Sequence, residues 1–187
     1  KIVIIEGKTE KDMIDIFSKK LKDKKNKKNI SSISANGVNA IEKYVKFFNN
    51  GLVKGFVVLD SDKEGKQVKN NITSQNNNYN NDNTFEINDL IANNSSNKTL
   101  EDLLPKQIVE DICLRFFELD ITLKVDEPYI EQIKKIQKTI NEKDLKLEIM
   151  KFIAEDINKT SMTKDKIKEK YKLYFEFASN LYLKIKS

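Results

Sequence analysis

Two short apolar runs, both rich in β-branched residues, constrain the fold of this chain more than any other feature. Residues 2–5 read IVII and residues 55–59 read GFVVL, so neither run alternates between polar and apolar positions. Strands of this kind are buried on both faces, which is typical of parallel sheets covered by helices. We therefore predict that the chain folds around a parallel sheet.

Helical patterns and two further strands alternate with these runs. Residues 10–22 and 38–49 place apolar side chains at helical spacing, and a third helix is predicted over residues 65–72. Residues 30–35 and 84–90 are predicted as the other two strands. This alternation predicts an α/β fold in which helices flank a parallel sheet.

From residue 100 onward the patterns are helical only. The predicted helices cover residues 100–119, 128–141, 143–157 and 163–184, and Pro128 suits a first helical position. We expect an α/β core over residues 1–98 and a helical extension over residues 99–187 that packs on it. Because the chain opens directly on a strand and without a methionine, we also expect a piece of a longer protein.

The composition excludes several kinds of active site. The chain has no histidine, which removes Ser-His and Cys-His nucleophile pairs and metal sites that depend on histidine. Cys113 is the only cysteine, so neither an internal disulfide nor a cysteine-based zinc site forms. Any catalysis must use carboxylates, lysines, hydroxyls and a bound metal.

Charge and hydropathy bear on partners and location. The net charge of +5 modestly favours nucleic acid as a partner. A lysine-rich stretch over residues 19–28 is either a solvated helix end or a phosphate-contacting patch. No run of about 18 apolar residues is present, so we expect no membrane span and a cytoplasmic protein.

Acidic side chains follow both buried strands directly. Glu6 follows the first apolar run, and Asp60 and Asp62 follow the second. Because ligands bind beyond the carboxyl ends of parallel strands, these three carboxylates are expected to converge at one edge of the sheet. A divalent cation would relieve their repulsion, and oxygen ligands favour Mg²⁺ or Mn²⁺. Asp-x-Asp after a strand is also common in turns and helix caps.

The segment Gly7-Lys8-Thr9 resembles the end of a Walker A loop but does not complete one. That motif requires another glycine five residues before Gly7, and Ile2 occupies this position inside the predicted strand. No room remains for a loop that surrounds phosphates, so we expect no ATP site within this chain.

Three segments together resemble the Toprim domain of topoisomerases, primases and certain nucleases. They are IVIIEGKTEKDMI, SANGVNAI and FVVLDSDKEGKQV. The form EGKTE, and the later TLEDLLP at residues 99–105, are closer to the OLD (overcoming lysogenization defect) nucleases. The resemblance covers residues 2–105 and implies a Rossmann-like Toprim fold, Mg²⁺-dependent cleavage of DNA phosphodiesters and a possible role in phage defence.

The resemblance also assigns roles to individual residues. Glu6 would be the acid/base or metal-bridging carboxylate, and Asp60 and Asp62 would be metal ligands. Glu10 would serve a second metal ion, because residues four apart share one helix face. Glu64 stands at the third acidic position of the pattern found in type IA topoisomerases.

Two assignments outside these motifs are less distinctive. Glu101 and Asp102 resemble an acidic pair of OLD-type nucleases, yet Thr99-x-x-Asp102 is also a plausible helix-capping arrangement. The resemblance would make Glu101 a further metal ligand. It would also make Lys151, which stands in a K-x-x-A setting, the lysine that assists catalysis. The chain has so many lysines that a chance match is a strong alternative for Lys151.

The OLD-like resemblance implies an ATPase domain upstream in the full-length protein and oligomerisation through that domain. Two other functions stay open. A topoisomerase or primase fragment is one, although packing explains the helical spacing of Tyr171, Tyr174 and Tyr182 better than a nucleophilic role does. A non-catalytic nucleic-acid-binding module is the other.

Overall fold

The sheet has four parallel strands in the order β2-β1-β3-β4. In the computed structural model they cover Ile2–Ile5 (β1), Ser31–Ser34 (β2), Gly55–Leu59 (β3) and Thr84–Glu86 (β4). The structure describes residues 1–21, 31–49, 55–75, 78–92, 98–159 and 161–186. Most of the lysine-rich stretch, residues 22–28, therefore lies outside the described residues.

Helices cover both faces of the sheet, as the buried strands require. They are Lys8–Leu21 (α1), Val38–Asn49 (α2) and Lys63–Ser74 (α3). Side chains alternate along each strand, so Val3 and Ile5 join one apolar cluster while Ile4 joins another. The cluster around Ile4 packs under α2 and α3, and the other extends into α1 and the C-terminal helices. The predicted α/β fold is confirmed.

The remaining helices form the C-terminal part of the chain. They cover Lys106–Phe117 (α4), Tyr129–Ile136 (α5), Glu142–Asn158 (α6), Lys164–Lys170 (α7) and Lys172–Lys186 (α8). Pro128 lies just before α5 rather than at its first position. None of the helices in the described ranges is long and apolar enough to cross a membrane.

Three predicted elements are divided in the structure. The predicted strand over residues 84–90 ends at Glu86, because Asp89 accepts a hydrogen bond from the Glu86 amide and a 3-10 turn begins. The predicted helix over residues 100–119 is interrupted before Pro105, since the residue before a proline disfavours helical geometry and Leu104 is extended. The predicted helix over residues 163–184 is split at Tyr171.

Helix α1 connects the sheet with the helical part through aromatic packing. Phe17 stacks on Tyr174 with ring centroids 4.1 Å apart and meets Tyr171 edge-on at 5.4 Å. Both tyrosines are fully buried, which fits the packing interpretation of their spacing. One apolar cluster contains side chains from both sides of the expected boundary at residues 98 and 99. The division into two domains stays a prediction.

Asp156 on α6 holds the turn between α6 and α8 together. It is buried and accepts hydrogen bonds from Lys159 at 3.1 Å, Lys170 at 2.8 Å and the Tyr171 hydroxyl at 2.8 Å. Burial acts to raise the pKa of Asp156, but these donors outweigh it and leave the pKa below its usual value of 3.8. The ionised form is therefore favoured in the folded protein.

Replacement of Asp156 by asparagine is expected to lower the free energy of unfolding by about 1.5–3 kcal/mol at pH 7, the usual contribution of hydrogen bonds to a charged group. Because the folded pKa is depressed, this contribution is present above the unfolded pKa and is lost as the pH falls below about 4. Urea denaturation of wild type and Asp156→Asn at pH 7 and pH 3 measures the difference. The exposed Asp120→Asn is the charge-matched control, and a deficit that is the same at both pH values would contradict the assignment.

Candidate metal centre

The carboxyl ends of β1 and β3 bring the predicted acidic side chains to one edge of the sheet. These strands are neighbours, with Ile5 opposite Val58, so Glu6 and Asp60 leave the sheet side by side. The turn after β2 lies at the same edge, because the Gly37 amide donates to the Glu6 carbonyl at 3.0 Å. Asn36 and Gly37 have φ angles of 60° and 125°, which is the left-handed geometry expected of an Asn-Gly turn.

Asp62 combines a helix cap with its place in the site. Its Oδ1 accepts a hydrogen bond from the Gly65 amide at 2.8 Å, so it caps the first turn of α3. A Cβ on Gly65 would lie 2.0 Å from the Asp60 carbonyl oxygen, so only glycine allows this close approach. The structure therefore shows the helix-cap interpretation of the Asp-x-Asp motif at Asp62. The second carboxylate oxygen of Asp62 is not used by the cap, so a metal-ligand role is compatible with it.

Lys146 on α6 lies among three acidic side chains. Its amine is 2.9 Å from Glu10, 3.6 Å from Glu101 and 3.5 Å from Glu142. Glu10 lies in the first turn of α1 and also accepts a hydrogen bond from the Thr9 hydroxyl at 2.9 Å. One lysine of the helical part thus ties together carboxylates from three separate segments of the chain.

Gly7 leaves space for the Glu10 carboxylate. A Cβ at Gly7 would lie 2.0 Å from Oε2 of Glu10. Because the obstructing atom is the end of a flexible side chain, a larger residue would displace the carboxylate rather than the backbone. The Glu-Gly pair after β1 is therefore needed for the position of Glu10 beside Lys146.

The neighbouring acids Glu101 and Asp102 have different environments. Asp102 accepts hydrogen bonds from the Thr99 amide at 2.8 Å, the Thr99 hydroxyl at 3.1 Å and the Tyr129 amide at 2.7 Å, so its role is structural. Glu101 is 1% exposed, and neither of its carboxylate oxygens has a hydrogen-bond partner among the described residues. Its only described ionic contact is Lys146, so Glu101 belongs with the carboxylate cluster.

Burial and repulsion by neighbouring carboxylates raise the pKa values of Glu6, Asp60 and Glu101. Burial raises the pKa of Glu6 to about 7, with further increases from Glu10 and a partial offset by Lys146. Burial, and then the charge of Glu101, hold the pKa of Asp60 well above its usual value. Burial would lower the pKa of Lys146, but Glu101 and Glu10 outweigh it and keep the amine protonated. The cluster therefore carries more carboxylates than Lys146 neutralises.

An open cleft of 480 Å³ gives access to the cluster. It is lined by Glu6, Gly7, Lys8, Thr9, Glu10, Asn36, Gly37, Glu142, Lys143, Asp144, Lys146 and Leu147. The volume is in the range typical of small-ligand sites. The N-terminal turns of α1 and α6 both border the cleft, and the turn before α2 closes a third side.

The structure brings most of the predicted site residues together. Glu6, Glu10, Asp60 and Glu101 influence one another electrostatically, and Asp62 raises the pKa of Glu6. Glu64 also raises the pKa of Glu6 but is exposed and lines a separate crevice against α2. Within the described ranges, no three acidic or cysteine side chains stand close enough together to enclose one metal ion.

Lys151 is not brought to the cluster. Its amine is half-exposed and pairs with Glu148 at 2.6 Å. Because Lys151 follows Lys146 by five residues, it projects from a different face of α6. The lysine that lies in the site is Lys146, which the sequence analysis did not predict. Nothing in the sequence distinguishes Lys146 from the many other lysines until its partners Glu10 and Glu101 are known.

A known protein family matches the first third of the chain. Residues 1–62 match the model of the family described as "Overcoming lysogenization defect protein-like, TOPRIM domain". This segment is similar to OLD-like Toprim sequences. It includes Glu6, Glu10, Asp60 and Asp62, and it supports a Toprim module of the nuclease type.

One solved structure aligns with nearly the whole chain. The solved C-terminal region of the Xanthomonas campestris pv. campestris OLD protein, phased with mercury, is similar to this chain at 17% identity. The alignment covers 98% of this chain and 97% of that chain, with a TM-score of 0.48. No curated protein matches the sequence.

Replacement of Lys146 by methionine is expected to lower the free energy of unfolding by about 3–5 kcal/mol, because buried carboxylates lose their counter-charge. The additional change Glu101→Gln should restore part of this loss, since it removes one of the uncompensated charges. Urea denaturation of the single and double variants measures both effects. The exposed Lys143→Met, on the same turn of α6, should stay within about 0.5 kcal/mol of wild type. Equal stability of the two methionine variants would contradict the role given to Lys146.

Proposed function

We propose that this chain cleaves DNA phosphodiesters with the help of Mg²⁺ or Mn²⁺, as the nuclease part of an OLD-like ATP-dependent endonuclease. The observation that carries the proposal is the convergence of Glu6, Asp60 and Asp62 at the carboxyl ends of two adjacent parallel strands, beside Glu10, Glu101 and Lys146. The match of residues 1–62 to an OLD-like Toprim family supports the same assignment.

The donor set fits a hard divalent cation in its chemistry, but the described carboxylates would have to move closer together to enclose one. All candidate ligands are carboxylates, and the two oxygens of Glu101 are buried without hydrogen-bond partners among the described residues. Glu6, Asp60 and Asp62 would hold one ion, and Glu10 with Glu101 would hold a second. When bound, such ions polarise the phosphorus–oxygen bond and stabilise the charge that develops on the phosphate.

The side chains of the cleft have separate tasks in this proposal. Glu6, which lines the cleft at the end of β1, would be the acid/base or metal-bridging carboxylate. Lys146 stays protonated and faces the cleft, so it stabilises negative charge on the phosphate or the leaving oxygen. We propose Lys146 for this role instead of Lys151, whose amine pairs with Glu148 on another face of α6.

The wider context is proposed on the resemblance alone. An ATPase domain would precede this chain in the full-length protein and would bring about oligomerisation, and the substrate would be invading phage DNA in the cytoplasm. The alternative of a topoisomerase fragment needs an accessible tyrosine nucleophile. Tyr171 and Tyr174 are fully buried, and Tyr182 lies under the amine of Lys186 at 4.5 Å.

Cleavage of supercoiled plasmid tests the proposal. Wild type should nick or linearise the plasmid with Mg²⁺ or Mn²⁺, and EDTA should abolish cleavage. Asp60→Asn and Asp62→Asn should each reduce the rate by about 100-fold or more, a loss of at least about 2.7 kcal/mol of transition-state stabilisation. The exposed Asp120→Asn is the charge-matched control. Full activity of the Asp60→Asn variant would contradict the proposal.

The same assay distinguishes the two lysines. Lys146→Arg keeps the positive charge among the carboxylates but replaces a compact amine by a planar group, so the fold should persist while the cleavage rate falls about 10-fold or more. Lys151→Arg should cleave like wild type, because its amine contacts only Glu148 among the described residues. Circular dichroism confirms that both proteins are folded, and the opposite pattern of activity would return the catalytic role to Lys151.

A further inference from the structure

The cleft that leads to the carboxylates has an unfavourable charge for a polyanion. Four acidic residues and three lysines line it, and Asp60 and Glu101 lie behind them. Lys146 is already paired with Glu10 and Glu101. Apart from the metal ions of the proposed function, a DNA strand that enters this cleft therefore needs positively charged side chains other than Lys146 close to the site.

Lys8 and Lys143 are the two remaining lysines of the cleft lining. Both are exposed, and neither forms an ion pair with any residue that the structure describes. Lys8 begins α1, two residues after Glu6 at the end of β1. Lys143 lies in the first turn of α6, three residues before Lys146. Residues three apart share a face of a helix, so Lys143 and Lys146 are neighbours about 4.5 Å apart along the axis.

The acidic residues next to Lys8 and Lys143 in the cleft do not form ion pairs with the amines of these two lysines among the described residues. Glu142 pairs with Lys134 at 3.1 Å and Lys146 at 3.5 Å. Asp144 is exposed at the same rim and repels phosphate. The first turns of α1 and α6 add partial positive charge from backbone amides, which favours anions near both lysines.

We propose that Lys8 and Lys143 bind the backbone phosphates next to the scissile phosphate and thereby position one DNA strand over the carboxylates. This inference rests on the proposed function for its substrate, but it concerns binding rather than bond cleavage. Both lysines are DNA-binding residues. Neither is assigned a part in the chemical step.

Salt dependence of DNA affinity tests the inference directly. Each phosphate contact to duplex DNA contributes about 0.9 to the slope of log affinity against log salt concentration. Lys8→Gln and Lys143→Gln should each lower this slope by about 0.9, and the double variant by about 1.8. Lys8→Arg and Lys143→Arg should retain the wild-type slope, because arginine also contacts phosphate.

All variants are prepared in the Asp60→Asn protein, so that the probe stays intact. The probe is a fluorescein-labelled duplex of about 20 base pairs, and anisotropy is followed from about 50 to 200 mM NaCl at constant Mg²⁺. Lys46→Gln is the matched control. Lys46 is exposed and lies in the last turn of α2. Only the N-terminal end of α2 approaches the cleft.

The outcomes separate this inference from the proposed function. Slopes that fall only for the Lys8 and Lys143 variants support phosphate binding, whether or not wild type cuts plasmid. Unchanged slopes, or an equal decrease for Lys46→Gln, overturn the inference even if wild type is an active nuclease. Absence of DNA binding by the Asp60→Asn protein, in which both lysines are intact, also overturns it.

Discussion

The ion cluster around Lys146 is the interaction on which the candidate site depends. Its amine lies on a helix of the C-terminal part, while Glu10 lies on the first helix after β1, 136 residues earlier in the chain. Removal of either kind of charge would leave the other buried without compensation, which costs several kcal/mol. The cluster therefore couples the position of α6 to the edge of the sheet where Glu6 and Asp60 end.

Aromatic packing behind this cluster makes the arrangement rigid. Phe17 lies about two turns after Glu10 on the same face of α1. It stacks against Tyr174 of α8 and contacts Tyr171 edge-on. These rings bury a large apolar area and prefer offset geometries that fix the angle between helices. The helical part thus does more than cover the sheet, because it supplies Lys146 to the site and packs against α1, the helix that carries Glu10.

The parts of the fold that follow from local sequence were predictable. Continuous β-branched runs placed β1 and β3, and the residues that directly follow those strands placed Glu6, Asp60 and Asp62 at one edge. The helix ends after residue 100 were less accurate, because the interruptions near Pro105 and Tyr171 depend on capping and on the contacts of Asp156. Intrinsic periodicity does not contain that information.

Long-range pairing limited what could be predicted of the site. Lys146 has no local motif, and its role appears only when Glu10, Glu101 and Glu142 surround it. The pair Glu101-Asp102 shows the same limit on a smaller scale. From the sequence, the pair could be either site carboxylates or part of a helix cap. In the structure, Asp102 accepts hydrogen bonds from Thr99 and Tyr129, which gives it a structural role. Glu101 has no such partners among the described residues.

The charge balance of the site gives a physical reason for the metal dependence that we propose. Glu6, Glu10, Asp60 and Glu101 share the positive charge of Lys146, and burial raises the pKa values of Glu6, Asp60 and Glu101. Such a group reaches a lower energy by taking up protons or by binding a cation. A proton on Asp60 would remove the charge that a divalent ion needs. We therefore expect protons and cations to compete at this edge of the sheet. In our proposal, the lysines of the cleft allow a phosphate to approach these acids.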